Sequence, residues 1–138
     1  MGLNIQTIEL LAKSPDLQKH DNLKVLTLGR QSVRLYSGGL KKLSKILDIS
    51  KDKIQNAIDK NSGYCEELLK LIFNWDVDSM DISNYESCKY THNLNVNIKE
   101  NNDLFSEISN KYDLILDLGT TEHVFNCSQS IANSLSIL

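Results

Sequence analysis

Strands alternating with helices predict an α/β fold with a mostly parallel sheet and helices on both faces. Three observations carry that prediction. Segments of strand character recur at residues 24–28, 75–81 and 114–116. Each run ends at glycine or a carboxylate, at Gly29, Asp81 and Asp117-Leu118-Gly119. The stretches between them place apolar residues at helical spacing. The chain is organised around residues 112–126, YDLILDLGTTEHVFN, where a buried strand delivers polar groups to a turn. In open α/β sheets the loops at the carboxyl ends of the strands leave a crevice for ligands. Asp117, Glu122 and His123 fall at that end.

With 138 residues the chain has the length of one domain with a core. The net charge is −3 and the lysines are scattered, so neither nucleic acid nor an anionic membrane surface is indicated as a partner. Cys65, Cys88 and Cys127 form no C-x-x-C pair and predict free thiols in a reducing, cytoplasmic compartment. No signal-peptide pattern opens the sequence, and no run approaches the ~18 apolar residues that span a bilayer.

In order, residues 4–13 predict a short amphipathic helix on Ile5, Ile8, Leu11 and Ala12. Ser14-Pro15 opens a further turn. Residues 1–23 thus read as an N-terminal helical segment. The first strand, 24–29, ends at Gly29, and residues 30–36 read as an extended loop. Ser37-Gly38-Gly39 starts a helix carrying Leu40, Leu43, Ile46 and Leu47. Ser50 caps a second helix on Ile54, Ala57 and Ile58, and a third follows with Leu68, Leu69, Leu71 and Ile72. The second strand ends at Asp81, and residues 91–95 form a weak third. Leu104, Phe105 and Ile108 mark a short helix before the central strand. Ile131, Leu135 and Leu138 lie at helical spacing and predict the apolar stripe of a last helix. The final strand has no partner on its far side, and such an edge is open unless covered.

The blocks KVLTLGRQ (24–31), VDSMDISNYES (77–87), HNLN (92–95) and YDLILDLGTTEHVFN (112–126), followed by a Q-x-x-x-N helix at Gln129–Asn133, occur in this order. Together they resemble a bacterial group of class I S-adenosylmethionine-dependent methyltransferases. The resemblance covers residues 24–138. It implies a Rossmann-like sheet of order 3-2-1-4-5-7-6, of which this chain supplies strands 1 to 4. Residues 1–138 then read as a single, incomplete domain, truncated after strand 4.

The resemblance also implies roles. Gly29 matches the backbone position beside the cofactor, and Asp81 the carboxylate that accepts from the ribose hydroxyls. Asn93 and Leu94 match the contact with the adenine edge. Asp117 and Gly119 match the strand end beside the methyl donor and acceptor, where His123 and Asp117 are the candidate catalytic residues. The implied activity is methyl transfer to oxygen or nitrogen of a small-molecule acceptor. Two features depart from the usual pattern: the glycine-rich loop is reduced to Gly29, and the interval from Gly29 to Asp81 is long enough for two or three inserted helices.

Plainer readings stand beside these. Gly29 suits a tight turn, Asp81 a helix or turn cap, and His123 a packed residue bonded to backbone. The cysteines suit small core positions. Two other classes also remain. One is a non-catalytic interaction module with partner contact or self-association at the exposed strand-4 edge. The other is a metal-dependent hydrolase using Asp117, Glu122 and His123, although a hard divalent ion favours more oxygen ligands than this set offers.

Overall fold

The computed structural model describes residues 2–138. In chain order the elements begin with β1 (Gly2–Leu3), α1 (Ile5–Lys13), β2 (Lys24–Leu28), β3 (Ser32–Val33), α2 (Gly39–Leu47) and α3 (Lys51–Lys60). They continue with α4 (Glu66–Phe73), β4 (Asp76–Asp81), β5 (Tyr90–Thr91), α5 (Asn102–Ile108), β6 (Leu114–Asp117) and α6 (Cys127–Ile137). The fold is α/β and Rossmann-like. Two compact units make it up, Met1–Asn22 with Gln31–Val77, and Leu23–Arg30 with Asp78–Leu138.

In the first unit, β1 and β3 form a two-stranded parallel sheet that pairs Leu3 with Val33. The loop expected at residues 30–36 thus contains a strand, and the reason is non-local. Val33 N–H donates to Gly63 O, Arg34 N–H to Leu3 O, and Cys65 N–H to Gln31 O. The helices start where side chains satisfy the free N–H groups of a first turn. Asn4 Oδ1 accepts from Thr7 N at 2.9 Å, and Ser50 caps α3 through Lys53 N. Leu3, Ile8, Leu43, Ile54, Leu68, Leu69 and Trp75 are buried, and Phe73 stacks on Trp75 at 4.5 Å between ring centroids.

The second unit is built on the four-stranded sheet of order β5-β4-β2-β6. Numbered as they occur in the chain, its strands lie 3-2-1-4. Val25 pairs with Leu114 and Leu28 with Asp117, while Met80 pairs with Tyr90 and Asp81 with Thr91; both ladders are parallel. Val25, Leu26, Thr27 and Leu28 are all buried, as a central strand covered on both faces requires. Leu26, Leu28, Met80, Ile98, Ile108, Tyr112 and Ile137 join in one core cluster. Each such aliphatic side chain contributes about 1.5–3 kcal/mol by burial.

Tyr112, just before β6, donates its hydroxyl to Asp78 Oδ2 at 2.6 Å, and Lys89 Nζ reaches the same oxygen at 2.7 Å. Burial first, and the Asp78 hydrogen bond second, push the Tyr112 phenol well above the usual tyrosine range.

The last helix corrects the expected packing. Ile131, Leu135 and Leu138 are exposed, and α6 buries Ser130, Asn133 and Ile137 instead. The physical reason is that Ser130 and Asn133 are hydrogen-bonded to neighbouring loops, so a polar face can be buried without orphaned groups.

Candidate functional site

Because the strands are parallel, Gly29, Asp81 and Asp117 come to one end of the sheet. The order 3-2-1-4 reverses direction between β2 and β6, and that reversal is where open α/β sheets bind ligands.

Gly29 closes β2 with φ 71°, in the left-handed region that glycine occupies without strain. Its N–H donates to Met80 O at 2.7 Å. Directly after it, Arg30 N–H donates to Asp81 Oδ2 at 3.3 Å, while Asp81 Oδ1 accepts from Ile82 N–H at 2.7 Å. Arg30 Nη1 also donates to Glu86 O. The His92 N–H donates to Asp81 O at 2.8 Å. One carboxylate thus holds the turn after β2 and the start of the loop after β4. Each of its oxygens keeps acceptor capacity, since an ionised carboxylate offers about four lone-pair sites.

On the other side of β2, Asp117 Oδ1 accepts from Gly119 N–H at 3.1 Å and Thr120 N–H at 2.8 Å, and Oδ2 accepts from Thr121 N–H at 3.3 Å. Partial burial opposes ionisation of Asp117, but the bonds from Thr121, Thr120 and Gly119 outweigh it and hold the carboxyl below its ordinary range. Gly119 has φ 103°. The Thr120 hydroxyl donates to Leu28 O at 2.5 Å, which locks the loop after β6 onto the end of β2.

The loop after β5 is polar and tightly bonded. Asn93 Oδ1 accepts from Asn95 N–H at 3.0 Å and Asn95 Nδ2 at 2.9 Å. Asn95 Oδ1 in turn accepts from Asn126 N–H at 2.8 Å, joining this loop to the start of α6. His92 is buried, with Nε2 3.1 Å from Val96 O. Leu94 is buried in the core cluster.

His123 lies in the turn Thr121–His123 with Nε2 3.4 Å from Glu122 Oε1, and both side chains are about two-thirds exposed. Asp117 faces its own loop and takes no part in that pair. Among the described residues no group of three His, Cys, Asp or Glu is placed to hold a metal ion. Asp117, Glu122 and His123 form no such group, so no convergence of the three supports the hydrolase alternative.

Several residues of the site have no individual role legible in the sequence. Thr120, Asn95, Asn126, Ser130 and Asn133 act only through contacts made after folding. Ile82, directly after Asp81, is an exposed apolar side chain at the same sheet end. Position next to a strand-ending carboxylate is the one cue that singles it out.

No family model matches the chain, and neither a curated protein nor a solved structure matches it.

Proposed function

We propose that the chain is the cofactor-binding half of a class I methyltransferase domain, with S-adenosylmethionine at the carboxyl end of β2, β4 and β5. The observation that carries this reading is the turn after Gly29 held to Asp81 through the Arg30 N–H, in a sheet of order 3-2-1-4. A left-handed glycine lets backbone approach a ligand closely. A carboxylate anchored through two backbone N–H groups, with acceptor sites to spare, suits the two hydroxyls of a ribose. These residues fit the cofactor.

S-adenosylmethionine supplies an electrophilic methyl group on a sulfonium when bound. The chain's residues supply position and proton handling. Asp81 and Gly29 hold the ribose side, and Ile82 covers the base. Asn93 and Leu94 meet the adenine edge, and Gly119 leaves the floor beside β6 open. Methyl transfer needs little beyond alignment of donor and acceptor. His123 accepts the proton of the attacking hydroxyl or amine, with Glu122 as the carboxylate beside it. Asp117 stays ionised and shapes the loop that carries His123. The acceptor is a small molecule. Among the described residues no helix is long and apolar enough to cross a membrane, and the lack of any C-x-x-C pair in the sequence fits a reducing cytoplasmic setting.

A second reading has its own observation. β6 is the terminal strand of the sheet, and Ile131, Leu135 and Leu138 on α6 are exposed together with Phe125, which is 100% exposed. Unpaired strand edges and contiguous apolar faces mark association sites. On this reading the chain is an interaction module whose β6 edge takes a partner or a second copy.

Isothermal titration of the chain with S-adenosylmethionine separates the two. Saturable 1:1 binding that Asp81→Asn weakens at least tenfold supports the cofactor site. Absence of binding heat together with dimerisation in light scattering would favour the interaction module.

A further inference from the structure

On α6 the buried face is taken by Asn133, with Ser130 and Ile137, in place of the apolar stripe. Asn133 is 1% exposed, and its carboxamide is spent on one segment of chain, the loop after β5. Its Oδ1 accepts from Ile98 N–H at 3.0 Å. Its Nδ2 donates to Leu94 O at 3.3 Å and to Val96 O at 2.9 Å. The Ile98 N–H and the two carbonyls fix which end of the carboxamide is the acceptor, and Gln129 Nε2, one turn earlier on α6, donates to the same Oδ1 at 2.9 Å. Residues 94–98 therefore have three backbone groups pinned by one side chain that itself cannot flip. An aliphatic residue of similar size at position 133 would strip the buried Ile98 N–H and Leu94 O of this partner and leave Val96 O with His92 Nε2, and each orphaned buried group is costly. A satisfied polar group in a core specifies geometry rather than adding bulk stability.

We propose that Asn133 is a positioning residue that sets the base selectivity of the cofactor site. It fixes the Leu94–Ile98 backbone without touching the base. This rests on the reading that the loop after β5 meets the adenine edge. Adenine presents a donor at its amino group and an acceptor at N1. Hypoxanthine reverses both, so only a rigid donor and acceptor pattern in the loop can tell them apart. The bonds of Asn93 Oδ1 to Asn95, and of Asn95 Oδ1 to Asn126, brace the outer side of the same loop. Asn133 and Gln129 brace its buried side. Selectivity is then held from α6, through a residue that lies behind the loop.

The test compares binding of S-adenosylhomocysteine and S-inosylhomocysteine, which differ only at the purine C6–N1 edge, to the chain and to Asn133→Ser, Gln129→Ala and Asp81→Asn. The unaltered chain is expected to prefer the adenine form at least tenfold. Asp81→Asn weakens both ligands in proportion and keeps the ratio, because the carboxylate contacts the ribose. Asn133→Ser brings the ratio within about threefold of unity. Gln129→Ala, which releases only the buttress and leaves the three backbone bonds, lowers the ratio partway and serves alone should Asn133→Ser fail to fold. A lowered melting temperature with an unchanged ratio in the variants would make Asn133 and Gln129 structural only and overturn the inference, leaving the cofactor reading intact. Binding of neither ligand by the unaltered chain would overturn the cofactor reading, and the inference with it.

Discussion

The backbone N–H of Arg30 donates to Asp81 Oδ2 at 3.3 Å, so the turn ending the first strand of the sheet is held by the carboxylate ending the second. Arg30 and Asp81 are far apart in the chain, and parallel pairing brings them to one end of the sheet. The strand order reverses beside them, between β2 and β6, the position at which open α/β sheets bind ligands.

Asp117 makes the loop after β6 sensitive to acid. Its folded-state pKa is depressed, so its stabilising contribution is present above the ordinary carboxylate value of about 3.9 and is lost as pH falls through the folded value. Asp117→Ala is expected to be less stable at neutral pH and to show a flatter acid limb. Urea unfolding at several pH values between about 3 and 7 reads this, and the two curves should converge at the acid end. Parallel curves would show that the carboxylate gains nothing from Gly119, Thr120 and Thr121.

Tyr112 makes the opposite limb sensitive to base. Its pKa is raised in the folded state by burial and by the Asp78 bond, so its contribution is complete below the ordinary phenol value of about 10 and is lost as pH rises beyond it. Lys89, raised by the hydrogen bond to Asp78 against some desolvation, acts in the same direction and is present in both proteins. Tyr112→Phe is expected to cost about 1–3 kcal/mol at pH 7, since it leaves a carboxylate short of one donor, and to lose less stability above pH ~10. Chemical denaturation at pH 7 and pH ~10.5 checks it. An equal loss in both proteins on raising pH would contradict the assignment.

The inward face of α6 is settled by two substitutions. Ile137 is fully buried in the core cluster, and Ile137→Ala should cost about 2–5 kcal/mol. Leu135 is 70% exposed, and Leu135→Ser should change stability by no more than about 0.5 kcal/mol. Comparable losses in equilibrium unfolding would mean that Leu135 is covered in solution, by a second copy if the loss depends on protein concentration.

The strands that build the site are readable because each is a short run of strand character stopped by a residue with a physical reason to stop it. Val25-Leu26-Thr27-Leu28 ends at a left-handed glycine, and β4 and β6 end at Asp81 and Asp117. The helix cap Ser50 is equally local. β3 was hidden because two residues carry no periodicity, and its pairing with β1 spans the first strand of the other unit. The facing of α6 was misread for a related reason. Ile131, Leu135 and Leu138 make a better apolar stripe than Ser130, Asn133 and Ile137, and only the partners Thr121, Leu94, Val96 and Ile98 justify burying the polar set. In the site, the carboxylates were legible as chemistry. Their partners, the backbone N–H groups of Arg30 and Thr120, exist only once the chain has folded.

The account rests most directly on the cofactor end of the sheet, and thermal unfolding with and without S-adenosylmethionine tests it, with Asp81→Ala alongside. Ligand at about 100 times its dissociation constant should stabilise the chain by about 2.7 kcal/mol, a shift of several degrees in Tm for a domain of this size. The account predicts that shift in the unaltered chain and its disappearance in an Asp81→Ala protein that still melts cooperatively. A cooperative melt of the unaltered chain that S-adenosylmethionine leaves in place would contradict it.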